Sequence, residues 1–367
     1  MPRIFPRIVC ILAAALAAAL PVREAAAQSR KPLTRMEKLM AIPRFREELR
    51  LIVDGLAQYA ESRDPRFLLV GRMPLGLMAT SPWEQQRESL LDPASLDREP
   101  VPDTAPGAPF RRILHDLDAV ALDGVNCPKP PPKPDAPKPS RAEEMKAQAI
   151  AQRIAAVRAS GMRVISLDPC AAADPFATAK RGRAEKTLSI AEIGAPDAPQ
   201  RLPKGRPPFE NAANVDNLGD VKNGLWMRGP RAYASKDDWL MALGESNADL
   251  VIVDAFYAAD KPLTRTDVRG LKYKRLGARR LLLAEINLSA ARDDRYYWKR
   301  GWRVGEPAFL REPLPGMPSD ILVNYWMPEW KEILGAYFKG LMDLGFDGVL
   351  LDGLNAPDRL EYEVFLE

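Results

Sequence analysis

Residues 279–302, RRLLLAEINLSAARDDRYYWKRGW, and residues 345–355, GFDGVLLDGLN, decide how this chain reads. Each holds a short apolar run, at 281–284 and 349–351, that leads straight into acidic or amide side chains. Between the runs lie Trp298, Trp302, Trp326 and Trp330, four of the seven tryptophans. A short apolar run that ends in polar residues predicts a buried parallel strand opening into a site. Aromatic faces beside carboxylates suit a sugar ring.

The same pattern recurs outward from this stretch. Apolar runs at 67–71, 119–122, 164–168 and 250–254 read as strands, with weaker ones at 187–191 and 223–227. Helical periodicity marks 45–60, 142–159, 237–243, 266–276 and 329–344. Strands that alternate with helices predict a parallel sheet, and about eight of them suit a closed (β/α)8 barrel, with an open doubly wound sheet as the alternative. Several strands end in carboxyl or amide residues: Asp123, Asp168, Asp254, Asp352, and Glu285 with Asn287. A barrel gathers such strand ends in one mouth, although any single Asp can instead cap the helix that follows. Residues 80–110 and the proline-rich 128–140 read as long surface loops.

The chain begins with the pattern of an export signal over 1–27. Arg3 and Arg7 precede an apolar core at 8–20, and small residues follow at Ala25, Ala26 and Ala27. That core is shorter than the ~20 residues of a membrane span. A signal peptide (1–27), an irregular segment (28–44) and one barrel domain (45–367) are therefore expected, in a periplasmic or secreted protein with no membrane span after signal removal. Cys127 and Cys170 then remain in a setting that permits disulfides, either paired or as two buried thiols. A formal net charge of +4 over 367 residues without a basic run argues against a nucleic-acid partner. One histidine, His115, and two cysteines cannot build the usual zinc clusters, and no Gly-rich phosphate loop is present. No metal or cofactor is expected. Carboxylates remain for chemistry.

The motifs LVIVDAF (250–256), the stretch 263–302, EPAFL (306–310), VNYWMPEWKEIL (323–334) and GFDGVLLDGLNA (345–356) resemble glycoside hydrolase family 114-like proteins. These are (β/α)8 barrels related to endo-α-1,4-polygalactosaminidases. The family pattern reads roughly YLSIGEAEDYRFYW, VKYWDPEW and GFDGVYLDIIDA, so the likeness is specific in wording and order over 249–356. The N-terminal half, FREELRLIVDGLAQYAESRDPRFLLV with AVALDGV and GMRVISLD, is similar to the family's downstream half. The resemblance thus implies a circular permutation, with the strand at 67–71 lying beside that at 348–352. It also shows departures. Ala290 stands where GEAE has its first glutamate and Arg292 where it has the second. Asn355 replaces the second Asp of YLDIIDA, and Arg72-Met73-Pro74 replaces QNG.

Glycoside cleavage generally uses two carboxyl groups, one acid and one base or nucleophile. The resemblance makes Asp254 the first catalytic candidate and Asp352 the second. Glu285, the acid left on the strand that leads to Ala290, is the third, either as a relocated acid or as a buried group paired with Arg279, Arg280 or a neighbouring strand. Substrate-binding candidates are Asp123, Asp168, Asp293, Arg295, Tyr296, Trp298, Tyr325, Trp326 and Asn355. An unacetylated amino-sugar polymer is cationic and suits a rim of aspartates. Two expectations stand: an exported hydrolase of a polygalactosamine-like polysaccharide, or an inactive barrel that binds a glycan or an envelope partner.

Overall fold

The computed structural model describes residues 37, 40–91, 110, 112–128, 140–195 and 198–366. The expected signal peptide, the proline-rich stretch 129–139, and residues 92–109 of the expected 80–110 loop lie outside these. The chain divides into Met1–Ile42 and Pro43–Glu367, and the second unit carries the fold. Among the described residues, no helix is long and apolar enough to cross a membrane.

Eight parallel strands close a barrel: β1 (Leu68–Arg72), β2 (Ala119–Asp123), β3 (Arg163–Asp168), β4 (Leu188–Ile193), β5 (Gly224–Met227), β6 (Leu250–Val253), β9 (Leu281–Asn287) and β13 (Gly348–Asp352). They follow one another around the ring in chain order, and β1 pairs with β13 in the register Leu68↔Gly348 to Gly71↔Leu351. The expected neighbourhood of 67–71 and 348–352 is therefore present. Any closed barrel with sequential strands requires it, so it speaks for closure and not for permutation.

Successive residues of a strand face opposite sides, and in a barrel one set fills the interior. Val70, Ala119, Ala121, Ile165, Leu167, Leu188, Ile190, Trp226, Leu250, Ile252, Leu281, Leu283 and Leu350 share one buried cluster. They sit at every second position of all eight strands, which identifies them as the interior set. At Gly224 the strands approach closely, because a Cβ there would meet Ile190 Cδ1 and the Leu250 carbonyl.

Around the barrel lie α1 (Phe45–Arg63), α2 (Pro82–Leu91), α3 (Arg112–Asp116), α4 (Arg141–Ala159), α5 (Pro175–Ala184), α6 (Lys236–Gly244), α7 (Arg265–Leu271), α8 (Pro328–Leu344) and α9 (Ala356–Leu366). The helix α2 corrects the expectation of a loop from 80 onward. Ser81 Oγ accepts from the Glu84 amide at 3.1 Å while the Glu84 carboxylate accepts from the Ser81 amide at 2.8 Å. Ser81-Pro82-Trp83-Glu84 is thus a capping box with proline in the first turn, which outweighs the polar composition. The helix expected at 266–276 ends early, at Leu271, and residues after it turn back through a Tyr273↔Arg279 bridge.

Two insertions sit between the later barrel strands. The short strands β7 (Phe256–Ala258) and β8 (Lys261–Pro262) follow β6. A three-stranded antiparallel sheet of β10 (Ala290–Arg292), β12 (Met317–Val323) and β11 (Leu310–Leu314) follows β9.

Candidate active site at the barrel mouth

Continuing the inward phase past the apolar layer places Arg72, Asp123, Glu192, Arg228, Asp254, Glu285, Asn287 and Asp352 at the C-terminal end of the barrel. The register fixes their neighbours. Val253 pairs with Ala284, so Asp254 and Glu285 stand side by side on adjacent strands. On the other flank Leu350 pairs with Glu285 and Asp352 with Asn287.

A cleft of about 150 Å³ opens here, lined by Asp254, Glu285, Asn287, Ala290, Arg292, Asp293, Asp294, Arg295, Tyr297, Asp320, Trp330 and Tyr337 among others. Arginines neutralise most of its carboxylates. Arg295 binds Asp254 at 2.5 Å and Asp294 at 2.8 Å. Arg292 binds Asp294 at 2.9 Å and Asp320 at 3.2 Å. Arg72 bridges Asp123 at 2.7 Å and Asp352 at 3.0 Å, and Arg228 holds Glu192 at 3.0 Å. Glu285 and Asp293 have no ion pair among the described residues, and Trp226 Nε1 donates to Glu285 Oε2 at 2.9 Å.

The charge states follow from this. Burial pushes the Glu285 carboxyl up, the Arg228 guanidinium pulls it down, and the charges of Asp352 and Asp254 push it further up. Burial also raises Asp320, against the pull of Arg292. Asp294 behaves differently: burial alone lifts it, but hydrogen bonds from Arg292 and the charge of Arg295 overcome that and leave it below the usual range. Burial pushes the Tyr297 hydroxyl up to about 12, so it stays protonated. Glu285 is thus one of three mouth carboxyls that burial raises, with Asp320 and Glu192, and it stands beside the arginine-bound Asp254.

The expected partners of Glu285 are absent. Arg279 instead binds Asp347 at 2.7 Å, and Arg280 donates to the carbonyls of Leu271, Ser246 and Leu243. Both arginines sit at the start of β9, two layers below the mouth, out of reach of residue 285.

Of the expected binding residues, Asp293 and Arg295 line the cleft, and Asp123 reaches the mouth through Arg72. Asp168 does not join them. Ile165 and Leu167 take the inward phase, so Asp168 faces out of the barrel, fully buried, accepting from Ser166 Oγ at 2.5 Å, Ser189 Oγ at 2.6 Å and Asn126 Nδ2 at 2.9 Å. Tyr325 is also fully buried, and its hydroxyl donates to the Phe45 carbonyl at 2.9 Å. Trp326 packs on the Phe45 ring at 5.2 Å, away from the cleft lining. These three serve packing because their surroundings leave no face for a ligand or hold them elsewhere. Tyr296 is 48% exposed, stacks on Phe256 at 5.6 Å, meets Tyr297 at 5.5 Å and Tyr337 at 5.7 Å edge to face, and lies outside the cleft lining. Trp298 rests edge-on against Trp302 at 5.5 Å, and Asn355 is exposed outside the lining. Ala290 lines the cleft.

Sequence reasoning passed over Arg72, Trp226 and Arg228 as functional residues. Strand phase reveals them: Leu68, Val70, Arg72 and Gly224, Trp226, Arg228 each keep one parity into the mouth. Arg72 and Arg228 both lie over the Trp226 ring, at 5.1 Å and 4.3 Å from its centroid. Asp320 had no such signal, because it arrives from the antiparallel insertion.

Cys127 and Cys170 form a disulfide across the ends of β2 and β3, with Cα atoms 5.7 Å apart. Their sulfurs and an Asp168 oxygen lie within 4.8 Å of one another, but the thiols are consumed in the bond.

No family model matches this chain. A 120-residue stretch is 36% identical to an uncharacterized protein of Deinococcus radiodurans, covering 33% of this chain and 37% of that protein. The uncharacterized protein MJ1477 of Methanocaldococcus jannaschii is 28% identical over 169 residues, 45% of this chain and 46% of the relative. An uncharacterized protein of Thermotoga maritima is 40% identical over 80 residues, 22% of this chain and 24% of the relative. The chain thus spans less than half the length of each of these relatives.

Proposed function

We propose that the barrel mouth is a glycoside-cleaving site for an amino-sugar polysaccharide of the polygalactosamine class. The observation that carries this reading is the pair Asp254 and Glu285, adjacent in register and lining one cleft. Glu285, raised by burial, is the acid that protonates the leaving oxygen. Asp254 is the second carboxylate, acting as base or nucleophile once substrate displaces Arg295 from it. Asp352, tied to Arg72, shapes the field at Glu285 instead of meeting substrate. Five carboxyls against three arginines line the cleft, a balance that favours a cationic sugar. Tyr296, half exposed next to the cleft residue Tyr297, is the stacking candidate. The export pattern read at 1–27 supports an activity in the periplasm or outside the cell.

A second reading is a catalytically silent barrel that binds a glycan or an envelope partner. Ala290 in the cleft wall and the arginine seated on Asp254 favour it. Incubating the protein with polygalactosamine oligomers separates the two. The hydrolase reading expects shorter products, lost by at least a hundredfold in Glu285→Gln and in Asp254→Ala, in line with the weight of general acid–base groups (~10²–10⁴-fold). Binding without cleavage, unchanged in Asp254→Ala, would leave the binding module standing.

A further inference from the structure

A second cavity, of about 230 Å³, lies at the opposite end of the barrel from the mouth. Its wall is built from Arg163 at the start of β3, Arg183 near the end of α5, and Leu188 and Ser189 at the start of β4. The connection between β4 and β5 contributes Phe209, Val221 and Lys222. Three cationic side chains line this cavity and no carboxyl does.

Nearby acids have other partners, although the charge of Asp220 also acts on Arg163. Asp220 accepts from Asn217 Nδ2 at 2.7 Å, Asp249 is paired with Lys274 at 2.6 Å, and Asp216 with Arg279 at 3.6 Å. Among the described residues, Arg163, Arg183 and Lys222 form no ion pair of their own. Arg163 is held by main-chain carbonyls, donating to Val221 at 2.7 Å and to Gly219 at 3.2 Å. Arg183 lies over the Phe209 ring at 3.2 Å. Phe209 has φ 56°, a left-handed conformation that a bulky side chain rarely takes and that persists where its surroundings impose it. The Phe209 backbone is thus held in place, and the exposed Arg183 side chain lies over its ring.

We infer that this cavity is an oxyanion site, taking a phosphate- or sulfate-class group between Arg163, Arg183 and Lys222. The Arg183 guanidinium and the Lys222 ammonium supply charged donors for such a group, Arg163 adds charge behind them, and no carboxyl in the wall competes. Phe209, Leu188 and Val221 give an apolar surface for the organic body that carries the group. The cavity is at the other end of the barrel from Asp254 and Glu285, so this inference stands or falls apart from the hydrolase reading.

Calorimetric titration of the full chain with sodium phosphate, sodium sulfate and sodium chloride at matched ionic strength tests it. Saturable binding of phosphate or sulfate, and not of chloride, is expected. Phenyl phosphate is expected to bind more tightly than inorganic phosphate, and equal affinity would remove the organic body from the proposal. Arg183→Gln and Lys222→Gln each should weaken phosphate about tenfold, as loss of one charge-assisted contact implies. Lys180→Gln, on the same helix but outside the wall, should leave it unchanged. Arg163→Gln also removes a structural tie, so the test rests on the two exposed variants. No saturation, or an equal loss in Lys180→Gln, overturns the site.

Discussion

At the residue scale the mouth is governed by which carboxyl lacks a cation. Asp254, Asp352, Asp123, Asp294, Asp320 and Glu192 each touch an arginine, whereas Glu285 leans on the Trp226 indole. Its raised pKa has a stability consequence with a definite sign. The folded state holds the proton more tightly than the unfolded chain, so Glu285 costs nothing below the ordinary carboxylate range. The cost grows as pH rises towards its folded value, at about 1.4 kcal/mol per unit of upward shift. Glu285→Gln should therefore raise Tm relative to the natural protein above the carboxylate range, and the gain should vanish in acid. Under the hydrolase reading, the same proton makes activity fall as pH rises through the Glu285 value. Gly353 is a second sensitive residue. It has φ 80°, and a Cβ there would meet Ser289 Oγ and Asn287 Oδ1, the latter at 2.5 Å. Gly353→Ala should cost about 2 kcal/mol or more, from the left-handed penalty and the displaced hydrogen bonds, read from a denaturant titration.

At the scale of elements, local chemistry decides where segments begin. Thr264 and Asp267 form a capping box on α7, with Thr264 Oγ1 accepting from the Asp267 amide at 3.2 Å and Asp267 accepting in return at 2.7 Å. Thr264→Ala should lower stability by about 1 kcal/mol without touching the mouth. Gly345, at φ 88°, ends α8 and turns the chain into β13. Such signals were readable in advance for α4, α8 and the strong strands. The S-x-x-E box at Ser81 was equally present and was hidden by the polar, proline-rich composition around it. The antiparallel sheet β10–β12–β11 was not readable, because its strands are short and carry a mixed burial pattern.

For the whole molecule, closure is the dominant fact. The interior layer is shared by all eight strands, so a hole in it is felt around the ring. Leu283→Ala, at a fully buried position, should cost about 2–5 kcal/mol by loss of transfer energy plus the cavity left behind. The disulfide acts at the same scale. It closes a 43-residue separation between β2 and β3, worth roughly 4 kcal/mol if chain entropy alone counts. A reductant should lower the Tm of the natural protein and leave that of the Cys127→Ala/Cys170→Ala double variant unchanged.

The sequence by itself determined a parallel sheet of alternating strands and helices, and the structure decided that it closes. Strand–helix alternation is a local signal, and the apolar runs at 281–284 and 349–351 with their polar ends are visible without coordinates. It also placed Asp254 and Glu285 at the ends of apolar runs, while their standing as catalytic candidates came from the family resemblance. Tertiary structure alone decided their company. Ion pairs such as Arg72 with Asp352, or Arg295 with Asp254, join residues separated by 280 and 41 positions, and no local periodicity encodes them. The same holds for the burial that raises Glu285, since desolvation depends on everything packed around a group. Asp168 marks the boundary: its place at a strand end was legible, but its direction depended on which parity the closed ring turned inward.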